Sequence, residues 1–397
     1  MNKTTNGGVA IRAACKHRRT RRDTVLLRGA TGLLGFACLA LLSACSGLGA
    51  WDLIAKGSQG GTTTSGSGTT PDTIVCKKRM QINLNGICAD SSVTGFPLLI
   101  DLGSGNAVYN ECRSDGLDIR FRDKDGNTIP FEIESWTPNG DSYIWVKVDF
   151  QSNTALDYIY IYFSSDSMGL IDRSDPAAVW SNGYVGVWHG KSADPLHDSS
   201  TSGHVASTSG FTAPKYSRGK IGDAIKFGGG NYGFFVPAKT DINDLEALTF
   251  ETWIRNNSST AGSAIFSKGP LELTVNSNIL DFSAAHNGQL FPFTSNTSLL
   301  GGGWTDIAVT WNGQTQNCVF YAGGIAIGAT RGTVATTSPD VGYEFVIGND
   351  ALKNNGITAE LDEIRLSNVV RSGPWLAAQF KAQSGSALSF GSPEAAP

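Results

Sequence analysis

The stretch from residue 359 to 380, AELDEIRLSNVVRSGPWLAAQF, places three carboxylates within four positions: Glu360, Asp362 and Glu363. Paired carboxylates are the machinery of glycoside hydrolysis, which needs two carboxyl groups about 5 Å apart with different proton affinities. Side chains alternate along a strand, so Glu360 and Asp362 share one face while Glu363 takes the other, with Arg365 as its neighbour. The same alternation puts Asp362 with Ile364 and Leu366. A carboxylate turned inward there needs a partner, either a cation or backbone amides, which makes Asp362 the candidate metal ligand and Ca2+ the candidate ion.

Other reactive constellations are missing from the sequence. There is no Gly-x-Ser-x-Gly elbow, phosphate loop or His-Glu-x-x-His motif, and His189, His197, His204 and His286 are scattered over turns and strand ends. No catalytic residue is assigned. The run DKDGN at 123–127 resembles a calcium loop superficially, but it lacks the downstream Glu and lies between two strands, so a hairpin turn explains it. Glu132 and Glu134 alternate with Phe131, Ile133 and Ser135, the pattern of a solvated strand face. Trp188, Trp253, Trp304 and Trp311 sit on strand patterns and read as core. Tyr232 in GNYGFF and Phe291 in NGQLFPF lie near turns flanked by Gly and Asn, and are the candidate exposed contacts for a ligand.

The elements that must position these residues are almost all strands. KKRMQINL, FPLLIDL, LDIRFRD, FEIESW, SYIWVKVDF and DYIYIYF are short runs with alternation or apolar cores, separated by turn chemistry such as TPNGD. The pattern continues through YVGVWHG, ALTFETWIR, TDIAVTWNG and YEFVIGND, and only RSGPWLAAQF reads as a short helix, with Trp375, Ala378 and Gln379 or Phe380 against the body. The chain is therefore expected to be all-β, with two antiparallel sandwiches over about 73–175 and 176–397.

The first seventy residues have a different character. A basic run from Lys16 to Arg28 precedes a short apolar segment ending Leu42-Ser43-Ala44-Cys45, too short to span a bilayer and arranged like a secretory signal. Residues 46–72 contain SQGGTTTSGSGTTP, a Gly/Ser/Thr tether that cannot repay ordering by burial. Beyond Cys15, Cys38 and Cys45, four cysteines remain, Cys76, Cys88, Cys112 and Cys318, none with metal spacing. If Cys76 opens a first strand and Cys112 follows the end of an antiparallel second one, those ends meet, so Cys76–Cys112 is the expected disulfide. A net charge of −4, from 31 basic and 35 acidic residues, gives no electrostatic reason to expect nucleic acid.

Three resemblances follow from these residues. Leu42-Ser43-Ala44-Cys45 resembles the lipobox of bacterial lipoproteins, which implies signal cleavage before Cys45 and a lipid anchor on its thiol. Ser46 stands where an inner-membrane retention signal would be Asp, which implies the outer membrane. FPLLIDLGSG, RSDGLDIRFRDKDGNTIPFEIESW, YIWVKV and IYIYFSS resemble DUF2341, a domain without assigned activity. From 176 onward VWH, HDSSTSGH, LTFETWIR, GGWTDIAVTWNG and LDEIRLSN resemble the concanavalin A-like, laminin G-like jelly roll.

Two departures from that family remove a carboxylate each: Phe227-Gly228-Gly229 replaces Phe-Asp-Gly, and Tyr321-Ala322-Gly323-Gly324 replaces Tyr-Val-Asp-Gly. Hydrolases sharing the jelly roll carry Glu-x-Asp-x-(x)-Glu on one strand. Here Glu360 and Asp362 match, but Ile364 and Arg365 occupy the third place. The resemblance thus implies an envelope-anchored protein that binds carbohydrate or glycoprotein and is not an enzyme. The alternatives are a polysaccharide hydrolase and a structural envelope protein assembling with membrane partners.

Overall fold

The computed structural model describes residues 74–84, 87, 93–150, 157–167, 170, 172–256, 262–286, 289–295, 301–331, 339–385 and 387–397. The signal segment, Cys45, the tether and Cys88 lie outside these residues.

Two antiparallel sheets form the first sandwich. Its strands are β1 (Lys78–Asn83), β2 (Val93–Leu102), β3 (Arg120–Asp123), β4 (Phe131–Ser135), β5 (Ser142–Phe150) and β6 (Tyr158–Phe163). β1, β6 and β3 make one sheet, and β2, β5 and β4 the other. Ile82, Phe121, Ile159, Ile161 and Phe163 of the first meet Leu98, Ile100, Ile144 and Val146 of the second in a shared core. The DKDGN stretch is the expected turn: Asp123 Oδ1 accepts from the amides of Asp125 and Asn127, and Oδ2 from Asn127 Nδ2.

A short helix α1 (Pro176–Val179) leads into the jelly roll. Its strands are β7 (Tyr184–Trp188), β8 (Lys215–Arg218), β9 (Asp223–Gly230), β10 (Phe234–Val236), β11 (Ala247–Asn256), β12 (Ser263–Lys268), β13 (Leu271–Asn276), β14 (Ile279–His286), β15 (Gln289–Thr294), β16 (Thr305–Asn312), β17 (Asn317–Ala322), β18 (Ile325–Arg331), β19 (Phe345–Ile347) and β20 (Gly356–Ser367). The acidic strand is β20, the longest and most central. It pairs with β11 along one side and with β9 and then β7 along the other. Trp188, Trp253 and Trp311 are buried as expected, while Trp304 is half-buried with the Arg255 guanidinium 4.9 Å above its ring.

After β20 the chain forms α2 (Gly373–Gln383), which starts where the sequence places it, with the Ser372 side chain accepting from Trp375 N. Pro374 in the first turn costs no intrahelical bond. Trp375 then meets Phe96 of β2 at 5.1 Å between ring centroids. The last residues make β21 (Ser389–Phe390) and β22 (Glu394–Ala395), both paired with β1. The C-terminus thus completes the first sandwich, and residues 70–397 form one compact unit.

β1 pairs with β6, β21 and β22, whereas β2 lies in the other sheet beside β5. The start of β1 does come near the segment that follows β2, with Lys78 Nζ 3.4 Å from Glu111 Oε1. The expected Cys76–Cys112 disulfide is not formed: Cys112 is a thiol, and the Cys76 sulfur lies 3.5 Å from Asp118 O as a donor.

Candidate functional site

β20 is buried on both faces. Ala359, Leu361, Ile364 and Leu366 enter the jelly-roll core. The other face looks at the β2–β5–β4 sheet, and its side chains are the charged ones. At Glu363 the backbone turns to φ +53°, and the pairing with β11 slips by one residue between Glu251 and Trp253. This β-bulge resets the alternation. Asp362 is therefore not on the face of Ile364 and Leu366, as strict alternation requires, but on the charged face with Glu363 and Arg365.

Asp362 is fully buried, with Oδ2 accepting from the amides of Lys220 at 2.7 Å and Ile221 at 2.8 Å. A Cβ at Gly219 would stand 2.5 Å from that oxygen, so a glycine is required for the loop to close over it. Burial, then the neighbouring Glu363 and Glu134, push the Asp362 carboxyl well above its usual range. Backbone amides thus supply the partner that the sequence left open between amides and a cation. Glu360 has the opposite character. Arg255, Ser217 Oγ at 3.0 Å and Lys226 Nζ at 3.7 Å surround it, and the bond from Arg255 leads in holding its carboxyl low.

A cluster of titratable groups joins the two sandwiches. Glu132 and Glu134 on β4 point at the jelly roll, and both are buried, at 2% and 7% exposure. The solvated face expected for them is instead an interior one. His189, just past β7, sits between them and β20: its Nδ1 is 2.8 Å from Glu363 Oε1 and 3.7 Å from Glu134 Oε2, and its Nε2 is 3.2 Å from Glu132 Oε2. Lys191 Nζ, Ser199 Oγ and Trp180 Nε1 donate to Glu132, at 3.0, 2.8 and 2.7 Å, and Trp145 Nε1 donates to Glu134 at 2.7 Å. Arg365 donates to Glu363 Oε2 at 2.5 Å with its guanidinium 4.6 Å from the Trp145 ring and 4.9 Å from the Trp180 ring.

Burial would lower the His189 pKa, but Glu363 and Glu132 outweigh it and raise it to about 10. Burial would likewise lift Glu132 and Glu363. The imidazolium outweighs it in both, with Lys191 helping at Glu132 and Arg365 at Glu363, so both stay below the carboxylate range. Glu134 is the odd one, pushed by burial and by Glu363 up to about 8.

Such shifts are one mark of catalytic groups, but structural ion-pair networks produce them too. Among the described residues, Glu134, His189 and Glu363 each offer one ligand atom within 4.8 Å of the others and could hold a metal ion. A His with two carboxylates suits a transition metal better than Ca2+, which takes oxygen ligands. The geometry fits an ion-pair network instead. Both imidazole nitrogens face carboxylate oxygens, and Arg365 and Lys191 already balance the charge. β20 contributes no described residue to the clefts of about 490, 350 and 570 Å3.

The candidate ligand aromatics fall elsewhere. Tyr232 is half-buried with its ring packed on Gly228, where a Cβ would stand 2.8 Å from the ring. Phe291 lies on β15, and its side chain is outside the described residues. The same packing explains one departure in the Phe227-Gly228-Gly229 stretch, because a carboxylate at 228 would displace Tyr232. At the other, the replaced carboxylate falls at Gly323, where a Cβ would make only ordinary contact with the Phe380 ring at 3.5 Å but the backbone φ of +56° favours glycine.

Comparison with known proteins agrees with this architecture. Residues 115–187 match DUF2341, a domain of unknown function, and residues 227–377 match the concanavalin A-like lectin/glucanases superfamily. Among solved structures, the chain is similar to the binding domain of Paraclostridial Mosquitocidal Protein 1, at 15% identity and TM-score 0.43, over 51% of this chain and 52% of that one. The botulinum neurotoxin serotype G binding domain follows at 11% and 0.42, over 51% of each chain. Domain 4 of AbnA, an extracellular GH43 arabinanase from Geobacillus stearothermophilus solved with arabinotriose, gives 15% and 0.40 over 49% of this chain and 96% of that one. These likenesses are of fold only, and the chain spans about half the length of the first two. No curated protein matches it.

Proposed function

For a chain that joins a DUF2341 domain to a concanavalin A-like jelly roll, we propose a binding protein of the cell envelope that takes carbohydrate or glycoprotein through the jelly roll. The observation that carries this reading is the state of the acidic strand. Glu360 is clamped by Arg255, and Asp362 is closed under the loop at Gly219. The third carboxylate, Glu363, is spent on His189 and Arg365. A hydrolase needs two of these carboxyls to face a cleft across a scissile bond. The lipobox-like Leu42-Ser43-Ala44-Cys45 supports attachment through Cys45, and Ser46 the outer membrane.

The test is a glycan array with the chain from residue 70, run with calcium and again with a chelator. Saturable binding in both supports a lectin-type role independent of metal. Binding that the chelator abolishes brings Ca2+ into the site. No binding to any glycan overturns the carbohydrate reading and directs the search to envelope proteins. Labelled palmitate incorporated by the full chain and lost in Cys45→Ser supports the anchor, and label retained in that variant refutes it.

A further inference from the structure

The outer face of the first sandwich carries chemistry that jelly-roll binding does not use. On β6, Ile159, Ile161 and Phe163 turn into the core, so Tyr158, Tyr160 and Tyr162 stand outward and half-buried. Registers place Arg79 and Arg120 on either side of Tyr162, and Gln81 and Arg122 on either side of Tyr160. The face is a row of tyrosines flanked by arginines from both neighbouring strands.

Its geometry selects the ligand's charge. The rings stand edge to face, Tyr158 to Tyr160 at 5.4 Å and 79°, and Tyr160 to Tyr162 at 6.2 Å and 68°. The Arg79 guanidinium lies 4.2 Å over Tyr160, and that of Arg122 lies 5.6 Å over Tyr162. Neutral sugars are held by stacking on bare ring faces, and here guanidinium groups cover two of them. The rings act as supports that hold cations in place. An anion is therefore the complement of this face. Its shape is indicated by the face itself: the Glu394 carboxylate, 53% exposed on the two-residue strand β22, already accepts from Arg79 Nε at 2.6 Å. Planar guanidinium matches planar carboxylate. Beside the row, Arg120, Arg122, Tyr162, Val75 and Pro397 line a cleft of about 350 Å3, within the range of small-ligand sites.

We propose that this face binds a carboxylate-bearing polysaccharide, a uronate chain, with one sugar in the Arg120–Arg122–Tyr162 cleft and its carboxylate on Arg122. The choice of a saccharide rests on the carbohydrate reading above. The site does not, since it lies on the other domain.

Affinity electrophoresis of the chain from residue 70 through polygalacturonate tests it, with the methyl ester of that polymer, dextran sulfate and neutral dextran as further gels. The expected result is retardation on polygalacturonate that falls at least tenfold for Arg122→Gln and is unchanged for Lys215→Gln, an exposed jelly-roll lysine on β8. Circular dichroism verifies that each variant is folded. If the glutamine variant does not fold, Arg122→Lys keeps the charge without the planar fork, and a several-fold loss supports the site. Wild-type retardation by the folded Arg122 variant overturns the proposal. So do an equal loss for Lys215→Gln, equal binding of the methyl ester, binding of dextran sulfate alone, or no retardation. Binding to a glycan that survives Arg122→Gln belongs to the jelly roll, so the two readings fail separately.

Discussion

Glu132 and Glu134 stand two residues apart on β4 and meet the same imidazole, yet the structure assigns them opposite charge states. Replacing each by Gln separates them. Glu134 has a folded pKa of about 8 against 4.5 for an ordinary Glu, so between those values the folded chain holds a proton that the unfolded chain has released. Stability then falls as pH rises, by about 1.4 kcal/mol per unit at most. Glu134→Gln cannot titrate and keeps an oxygen for Trp145 Nε1. Its stability relative to wild type should therefore improve by up to that slope between pH 5 and 8. Glu132 is the reverse case. Its carboxyl is held low, so its contribution is present above pH 4.5 and is lost on acidification below it. Removing it leaves the buried His189 imidazolium with one partner fewer, at a cost of about 3–5 kcal/mol at pH 7. Urea unfolding of the chain from residue 70, followed by tryptophan fluorescence at pH 5, 6.5 and 8, measures both. Parallel pH curves for Glu134→Gln and wild type, or equal losses for the two variants, would refute the assigned charge states.

Other outcomes follow from the same contacts. His189, raised to about 10, stabilises fully below pH 6.5 and loses that contribution as pH climbs through 10; His189→Gln should flatten this alkaline limb of the stability curve. Glu360→Gln should leave glycan binding intact and change stability by no more than about 1 kcal/mol, because Arg255 and Lys226 are 33% and 52% exposed. Loss of binding in that variant would revive the hydrolase alternative. Gly228→Asp, which restores the carboxylate of related jelly rolls, should lower thermal stability by about 1–3 kcal/mol through displacement of Tyr232, as read by calorimetry. Deleting residues 388–397 removes β21 and β22 and bares β1, so sedimentation should show self-association.

Much of the fold was legible because period and punctuation are local. The strand runs, the DKDGN turn and the Ser372 start of α2 each depend on neighbours within a few positions, and the motif order identified both domains. The burial of Glu132 and Glu134 was not legible. Alternation says that Phe131 and Glu132 face opposite ways, but the pattern is the same whether the second face meets water or His189 and Lys191. The one signal available was the excess of charge on β20, whose Glu363 and Arg365 needed partners from somewhere. The Arg/Tyr face was open to sequence in part, since YIYIYF places three tyrosines together; their arginine neighbours come from β1 and β3, whose pairing with β6 no local pattern records.

The sequence by itself determined the all-β class, the two-domain order and, away from the bulge in β20, the residues that share a strand face, because these follow from side-chain geometry along a chain of fixed pitch. Only the tertiary structure decided what covers each face. Docking of β4 on β20 turned two surface-patterned glutamates into interior groups, and a single bulge at Glu363 moved Asp362 from the core side to the charged side. Sheet closure also returned the C-terminus to β1. Those outcomes depend on contacts between residues more than fifty positions apart, set by how whole sheets stack and close.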